Sequence, residues 1–267
     1  MRFLIKYKFI LLVFLFQSFI SENTFAFDWS ITEFQSNFGV ISTPSFAGGG
    51  KNTTLVATIE HSDGWKYGDN YFFIDFAEST SPFYNDNDIY AEYYANFSLG
   101  KILDKKISYG IINDIGLILG INWAKNAKVI KYLPGLRFSL DLPGFAFANL
   151  DFTAYLDDSR GFQNGGAPKQ TKSYMIDFNW SYPFTINGND FSVTGHLEYI
   201  DKRFDSFGNR LTSHVLNQEQ IRWDIGKAIN GTPNKFFIGL ELSIWINKLG
   251  DTTTNEFAPQ ALIAYRF

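Results

Sequence analysis

The chain has no cysteine, 8 prolines, 2 methionines and 3 histidines in 267 residues. Without cysteine there is no disulfide framework and no thiolate metal site. The histidines, His61, His196 and His214, lie in separate segments and include no pair at ligand spacing, so no zinc site is expected. Basic charge is also scarce: 23 Lys and Arg against 27 Asp and Glu give a net charge of -4. A nucleic-acid binder needs a basic face, so that class is excluded as a partner. Long apolar runs are missing as well. Beyond residue 26 no stretch approaches the ~18 apolar residues that a spanning helix needs. If the rest of the chain crosses a bilayer, it must do so as a closed barrel, because lipid does not tolerate open sheet edges.

The one apolar run, Phe9 to Ile20, is too short to span and follows the basic residues Arg2, Lys6 and Lys8. Thr24-Phe25-Ala26 then supplies small residues at a cleavage site. Residues 1–26 are therefore expected to be a secretory signal peptide rather than a retained anchor, with residues 27–267 forming a single domain. Removing residues 1–26 takes away three bases and one acid, which moves the net charge from -4 to about -6.

Aromatic residues are abundant, at 18% of the chain, with 29 Phe and 14 Tyr. They recur with period two. About twelve candidate strands fall near 29–38, 53–61, 67–76, 89–98, 114–123, 129–141, 145–156, 172–183, 190–200, 215–226, 235–246 and 257–267. No long segment shows the 3.6-residue period of an amphipathic helix. Ile89, Ala91, Tyr93, Ala95 and Phe97, for example, alternate with Tyr90, Glu92, Tyr94, Asn96 and Ser98. Short turns are expected at Ser62–Gly64, Leu142–Gly144 and Asn187–Asn189, and longer polar loops at 39–52, 77–88, 157–171, 201–214 and 247–256. Tight turns on one side and long loops on the other are the asymmetry of an outer-membrane barrel. Two connections break it: 99–113 is long where a turn is expected, and 124–128 is short where a loop is expected.

The expected fold is all-β: a transmembrane antiparallel β-barrel of about 12 strands with up-and-down topology. A soluble sandwich would also alternate, but with its apolar faces inward. Export, an apolar face on nearly every strand, and Trp and Tyr towards strand ends favour the barrel. The mixed faces then line a wet interior. They bring eleven acids there: Glu60, Asp69, Asp75, Glu92, Asp141, Asp151, Asp157, Asp177, Glu198, Asp224 and Glu241. Four bases join them: Lys131, Arg137, Arg222 and Arg266. The aromatics Tyr71, Phe73, Tyr94, Phe145, Phe147, Tyr155, Phe237 and Trp245 share that face, and His196 is the one histidine placed on it. Rings can stack on a flat solute, and carboxylates can accept from its hydroxyls. The pore-lining, substrate-binding set is accordingly Glu60, Asp69, Tyr71, Phe73, Asp75, Glu92, Tyr94, Arg137, Asp177, His196, Arg222 and Glu241. The alternative is that these side chains fill and brace a narrow barrel, with Arg137 and Arg222 as its struts.

Three stretches also carry a resemblance. Gly64-Trp65 with Tyr67 to Asp75, Phe97-Ser98-Leu99-Gly100-Lys101 and Leu140-Asp141-Leu142-Pro143-Gly144-Phe145 resemble the Tsx-like and OmpK-like outer-membrane proteins. The resemblance implies a twelve-stranded monomeric barrel in the cell outer membrane. It also implies a narrow pore for nucleosides, and receptor use by bacteriophage or colicin. The chain departs from the nucleoside channels in its loops and in much of its lumen sequence.

The expected function is an outer-membrane channel for passive uptake of nucleosides or similar small neutral solutes, without a cofactor. A surface receptor or structural protein with a closed lumen is the alternative. A membrane hydrolase would need a nucleophile and base at a positioned spacing, which is absent, so the chain is not expected to be an enzyme. Gly48-Gly49-Gly50-Lys51-Asn52-Thr53 lacks the full phosphate-loop pattern and reads as an external loop.

Overall fold

The computed structural model describes residues 27–80 and 87–267. The expected signal peptide, residues 1–26, lies outside the described residues, as do residues 81–86 of the expected loop 77–88.

Twelve strands close into one barrel in sequence order. They are β1 (Phe27–Ser42), β2 (Lys51–Trp65), β3 (Gly68–Ser79), β4 (Asn87–Ser98), β5 (Ile112–Ala124), β6 (Val129–Leu140), β7 (Phe147–Asp157), β8 (Ser173–Ile186), β9 (Asn189–Ile200), β10 (His214–Asp224), β11 (Phe236–Ile246) and β12 (Glu256–Arg266). Each pairs antiparallel with its neighbours in sequence. Glu33–Gly39 of β1 against Gln260–Arg266 of β12 closes the ring. The expected strand count, antiparallel pairing and up-and-down order are all present.

The wall sorts its side chains by polarity. Outward positions include Leu55, Leu119, Leu136, Phe152, Leu197, Leu240 and Ile263, all exposed. Inward positions on the same strands include Thr58, Asn122, Arg137, Asp151, Glu198, Glu241 and Gln260, all buried. A barrel that is apolar outside and polar inside is built for lipid outside, not water. Outward aromatics mark both ends of this belt: Tyr182 and Tyr265 near the termini, and Trp123, Tyr132 and Tyr174 near the other rim. Amphipathic rings settle where hydrocarbon meets headgroups. On the outer wall, a groove of about 470 Å³ lined mainly by Phe191, Ile221, Trp223, Ile238, Leu240 and Ala261 continues the apolar surface.

Connections at the terminal end are shorter at 66–67, 141–146 and 187–188, but long at 99–111 and 225–235. The first of these long segments was expected from its length. The second was not, because Ile225–Ala228 forms a helical turn that continues the apolar run of β10. Asn187 and Gly188 both have positive φ, as a two-residue hairpin turn with the twist of its strands requires.

The Ser62-Asp63-Gly64 turn is not there. Asp63 and Gly64 are buried within β2, and Trp65 pairs with Gly68, so Lys66-Tyr67 makes the turn. The Trp29 indole lies over Gly64, where a Cβ would come within 2.1 Å of its Nε1. Gly64 is thus needed for close approach of a side chain, not for a bend. Inside the barrel the Tyr94 ring lies over Gly120 in the same way, with 2.5 Å between ring and a built Cβ.

The polarity of the wall is testable. Leu240 lies at the middle of β11 and is 47% exposed. Leu240→Arg should lower the folding free energy in lipid vesicles by about 2–4 kcal/mol. Urea titration of vesicle-inserted protein measures this, and unchanged stability would contradict a lipid-facing wall.

Candidate functional site: the barrel interior

All twelve candidate site residues sit at inward positions of the wall, and the structure brings them into three connected groups. The first lies on β2–β4. Tyr71 Oη donates to Glu60 (3.1 Å), and Thr58 Oγ1 donates to Asp75 (2.6 Å). Glu92 accepts from Tyr90, from Tyr94 (2.9 Å) and from Asn122 (2.9 Å). Phe73 packs between the rings of Tyr71 and Tyr90. Alternation places these acids and rings together, because residues two apart on a strand share a face and cross-strand partners lie beside them.

The second group runs from β3 to β9. The Arg137 guanidinium forks onto Asp151, with Nε–Oδ1 and Nη2–Oδ2 both 2.8 Å, and reaches Asp69 at 3.1 Å. Asn179 donates to Asp177 (2.8 Å), which lies 3.2 Å from His196 Nδ1. Two-point contact with a carboxylate is the geometry that arginine's planar fork favours.

The third group spans β1 and β10–β12. Arg222 Nη1 and Arg266 Nη2 meet the two oxygens of Glu33 at 2.8 and 2.6 Å. Beside them, Glu241 accepts from four neutral amides: Asn37 and Gln220 on one oxygen, Gln218 and Gln260 on the other, at 2.7 to 3.0 Å. An ionised carboxylate has about four acceptor sites, so this one is filled without a cation.

The residues missed on sequence explain much of this. Glu33, Gln35 and Asn37 alternate with Phe34, Ser36 and Phe38, which was a readable signal on β1. The glutamines 218, 220 and 260 carry no charge to betray them. Gln170, Arg203 and Lys248 come from loops and enter the mouth at the rim opposite the termini. There Lys131 Nζ pairs with Asp157 (2.9 Å), and Gln170 Oε1 accepts from Arg203 Nε (2.6 Å) and Lys131 Nζ (3.0 Å). Both cations lie over the Tyr155 ring. Below them Leu133, Tyr155, Met175 and Ile200 form a buried apolar layer. The loops holding Gln170 and Arg203 are zipped by Thr171 N–Phe204 O (2.8 Å) and Ser206 N–Lys169 O (2.7 Å).

Four placements are corrected. Asp141 is exposed at the terminal rim, beyond the end of β6. Phe145 packs against the outward ring of Tyr182, because the turn at 141–146 interrupts the alternation. Phe147 keeps the inward parity of β7 but is 47% exposed at its end. His214 is not in a loop: it opens β10 and is buried inside, beside Arg203 and the Trp245 ring.

Part of the interior is closely packed. Glu92, Arg137, Asp177, Arg222 and Glu241 are buried. Partly accessible inward residues include Glu60, Asp69, Tyr71, Phe73, Asp75 and Tyr94 on the β2–β4 wall, and Asn179, His196, Gln218 and Gln220 opposite it. Among the described residues, no group of three or more His, Asp or Glu is arranged to hold a metal ion.

No family model matches the chain, and no curated protein matches it in sequence. Among solved structures it is similar to the KdgM porin, with 10% identity, a TM-score of 0.48, and coverage of 90% of this chain and 99% of that one. It is also similar to the NanC porin, with 11% identity, a TM-score of 0.47, and coverage of 87% and 98%. An outer membrane channel from Pseudomonas putida F1 gives 8% identity, a TM-score of 0.49, and coverage of 92% and 100%.

Two outcomes are expected. Arg137→Ala leaves Asp151 buried without its cation and should cost about 3–5 kcal/mol, most of it regained in the Arg137→Ala/Asp151→Ala double variant. Chemical denaturation of the folded protein in detergent measures both. At the loop rim, desolvation of Asp251 is the largest single influence and opposes its ionisation. Hydrogen bonds from Thr254, Ser45 and Thr253 together outweigh it and hold the carboxyl well below the usual range. The depressed value means that this clasp between loops is present above the ordinary carboxylate pKa of about 3.9 and lost only well below it. Hydrogen-exchange protection of the Ser45 amide should therefore stay constant from about pH 8 to pH 4; a step within that window would refute the assignment.

Proposed function

We propose that the protein is a monomeric outer-membrane channel for passive uptake of nucleosides or similarly small neutral solutes, related to the Tsx-like and OmpK-like proteins. The observation that carries this reading is the partly accessible face of β2–β4. It sets Tyr71, Phe73 and Tyr94 beside Glu60 and Asp75, rings for stacking next to acceptors for sugar hydroxyls. The three stretches resembling those proteins support the same solute class. The interior charge is negative in excess, and Glu241 is held by amides rather than a base. Such a field rejects phosphorylated anions and admits neutral solutes. Stacking at ~1–3 kcal/mol per ring binds a solute without trapping it.

A closed-lumen receptor for phage or colicin is favoured by a different observation. The Arg137 and Arg222 bridges are buried, and loops 158–172 and 201–213 are zipped across one side of the mouth.

Planar-bilayer recording separates the two. The channel reading expects cation-selective current that adenosine blocks and adenosine monophosphate does not. It also expects a larger conductance in the Arg137→Ala/Asp151→Ala variant, which removes one strut as a unit. A folded, inserted protein that passes neither ions nor nucleosides in either form would leave the receptor reading.

A further inference from the structure

At the rim opposite the termini, β5 and β6 are joined by the tight turn 125–128. Against it lies a cavity of about 260 Å³ lined by Trp123, Lys125, Lys128, Ile130 and Arg160. No carboxylate is in the lining. Asp88 at the start of β4 touches the turn, and one of its carboxylate oxygens is engaged by the backbone amides of Ile89 (2.8 Å) and Asn126 (3.1 Å). Asp158 follows β7 alongside, held through its backbone N–H to Ile130 O (3.0 Å).

Lys128 is held through its side chain, and Lys125 and Arg160 through their backbones. Lys128 has φ of 51°, a left-handed conformation uncommon for a residue with a side chain. Its Nζ donates to Asn164 O at 2.7 Å, which leaves further N–H donors free. Arg160 is tied by its own N–H to Lys128 O (3.2 Å), and Ala167 N–H bonds Ala127 O (2.7 Å). The loop after β7 is thereby folded onto the turn, which brings Arg160 beside the two lysines.

The floor of the cavity is apolar. Trp123 and Ile130 are direct partners across β5 and β6, and the next outward pair down the wall is Ile121 and Tyr132. Trp123, Ile121 and Tyr132 are exposed on the lipid-facing side. The cavity thus has cations at the level of the headgroups and an apolar track descending from it.

We infer that this cavity binds the phosphate headgroup of a membrane lipid, with an acyl chain lying down the Trp123–Ile130 track. Three like charges in one cavity repel, and an anion between them relieves that repulsion. The planar fork of Arg160 matches phosphate oxygens, and the lysines act as point charges beside it. Trp123 sits at the interface depth that indole rings prefer. The inference rests on the membrane-barrel reading, since a soluble protein would present no lipid to this rim.

Native mass spectrometry of the detergent-purified protein tests it, with phosphatidic acid, diacylglycerol of the same chains, and inorganic phosphate as probes. Phosphatidic acid should be retained by the native chain. It should bind roughly tenfold more weakly, or worse, to Lys125→Ala/Arg160→Ala, since each charged hydrogen bond contributes substantially. Lys125→Arg/Arg160→Lys should keep most of the binding. Equal retention of diacylglycerol, equal affinity for inorganic phosphate, or no loss in the alanine variant would each overturn the site. Vesicle insertion and conductance are read on the same variants. Lost lipid binding with insertion intact supports the site, and absent binding by an inserting native protein overturns the site alone. A native chain that does not insert overturns the membrane reading and this site together.

Discussion

The pairing of Glu33–Gly39 with Gln260–Arg266 is the contact on which the rest depends. Open, the twelve strands would be a sheet with two unpaired edges, which hydrocarbon does not tolerate. Closed, every strand has two neighbours, and the period-two alternation of side chains becomes a distinction between inside and outside. Closure also brings Glu33 of β1 next to Arg266 of β12 and within reach of Arg222 of β10. The seam is therefore held by backbone bonds along the wall and by charge pairs within it.

Closure creates a second problem, that of filling the space it encloses. A twelve-stranded wall of this sequence cannot leave its interior charges unpaired, because isolated buried ions are expensive. The structure solves this in two ways. Arg137 joins carboxylates of β3 and β7, and Glu33 of β1 joins Arg222 of β10 to Arg266 of β12, which braces the wall. Glu241 is instead surrounded by the amides of Asn37, Gln218, Gln220 and Gln260, so its charge is satisfied but not cancelled. The excess of acid that survives is the interior's main electrostatic property. It is concentrated where Tyr and Phe rings also face inward, on β2–β4.

The two rims differ in how they use loops. At the rim opposite the termini, loops enter the mouth: Gln170 and Arg203 join Lys131 and Asp157 over the Tyr155 ring. The loop after β7 also folds outward, onto the 125–128 turn, and carries Arg160 to the lipid-facing side. One loop thus contributes to the inner mouth through Gln170 and to the outer wall through Arg160.

Strand number, antiparallel order and the inward or outward face of nearly every wall residue followed from the sequence alone. Alternation is local, and a one-residue slip would turn every charge towards lipid. The twelve candidate residues face inward for that reason. Asp151 is the register partner of Arg137 on the adjacent strand, but the contacts of Arg137 with Asp69 and of Arg222 with Glu33 were not legible, because they depend on the curvature and register of strands far apart in the chain. Turn position was decided by tertiary contacts too: Gly64 looks like a turn residue and instead makes room for Trp29. The neutral amides around Glu241, the burial of His214 and the descent of Arg203 into the mouth carry no periodic signal. Only closure of the ring, which places distant segments within a few ångströms of one another, decided them.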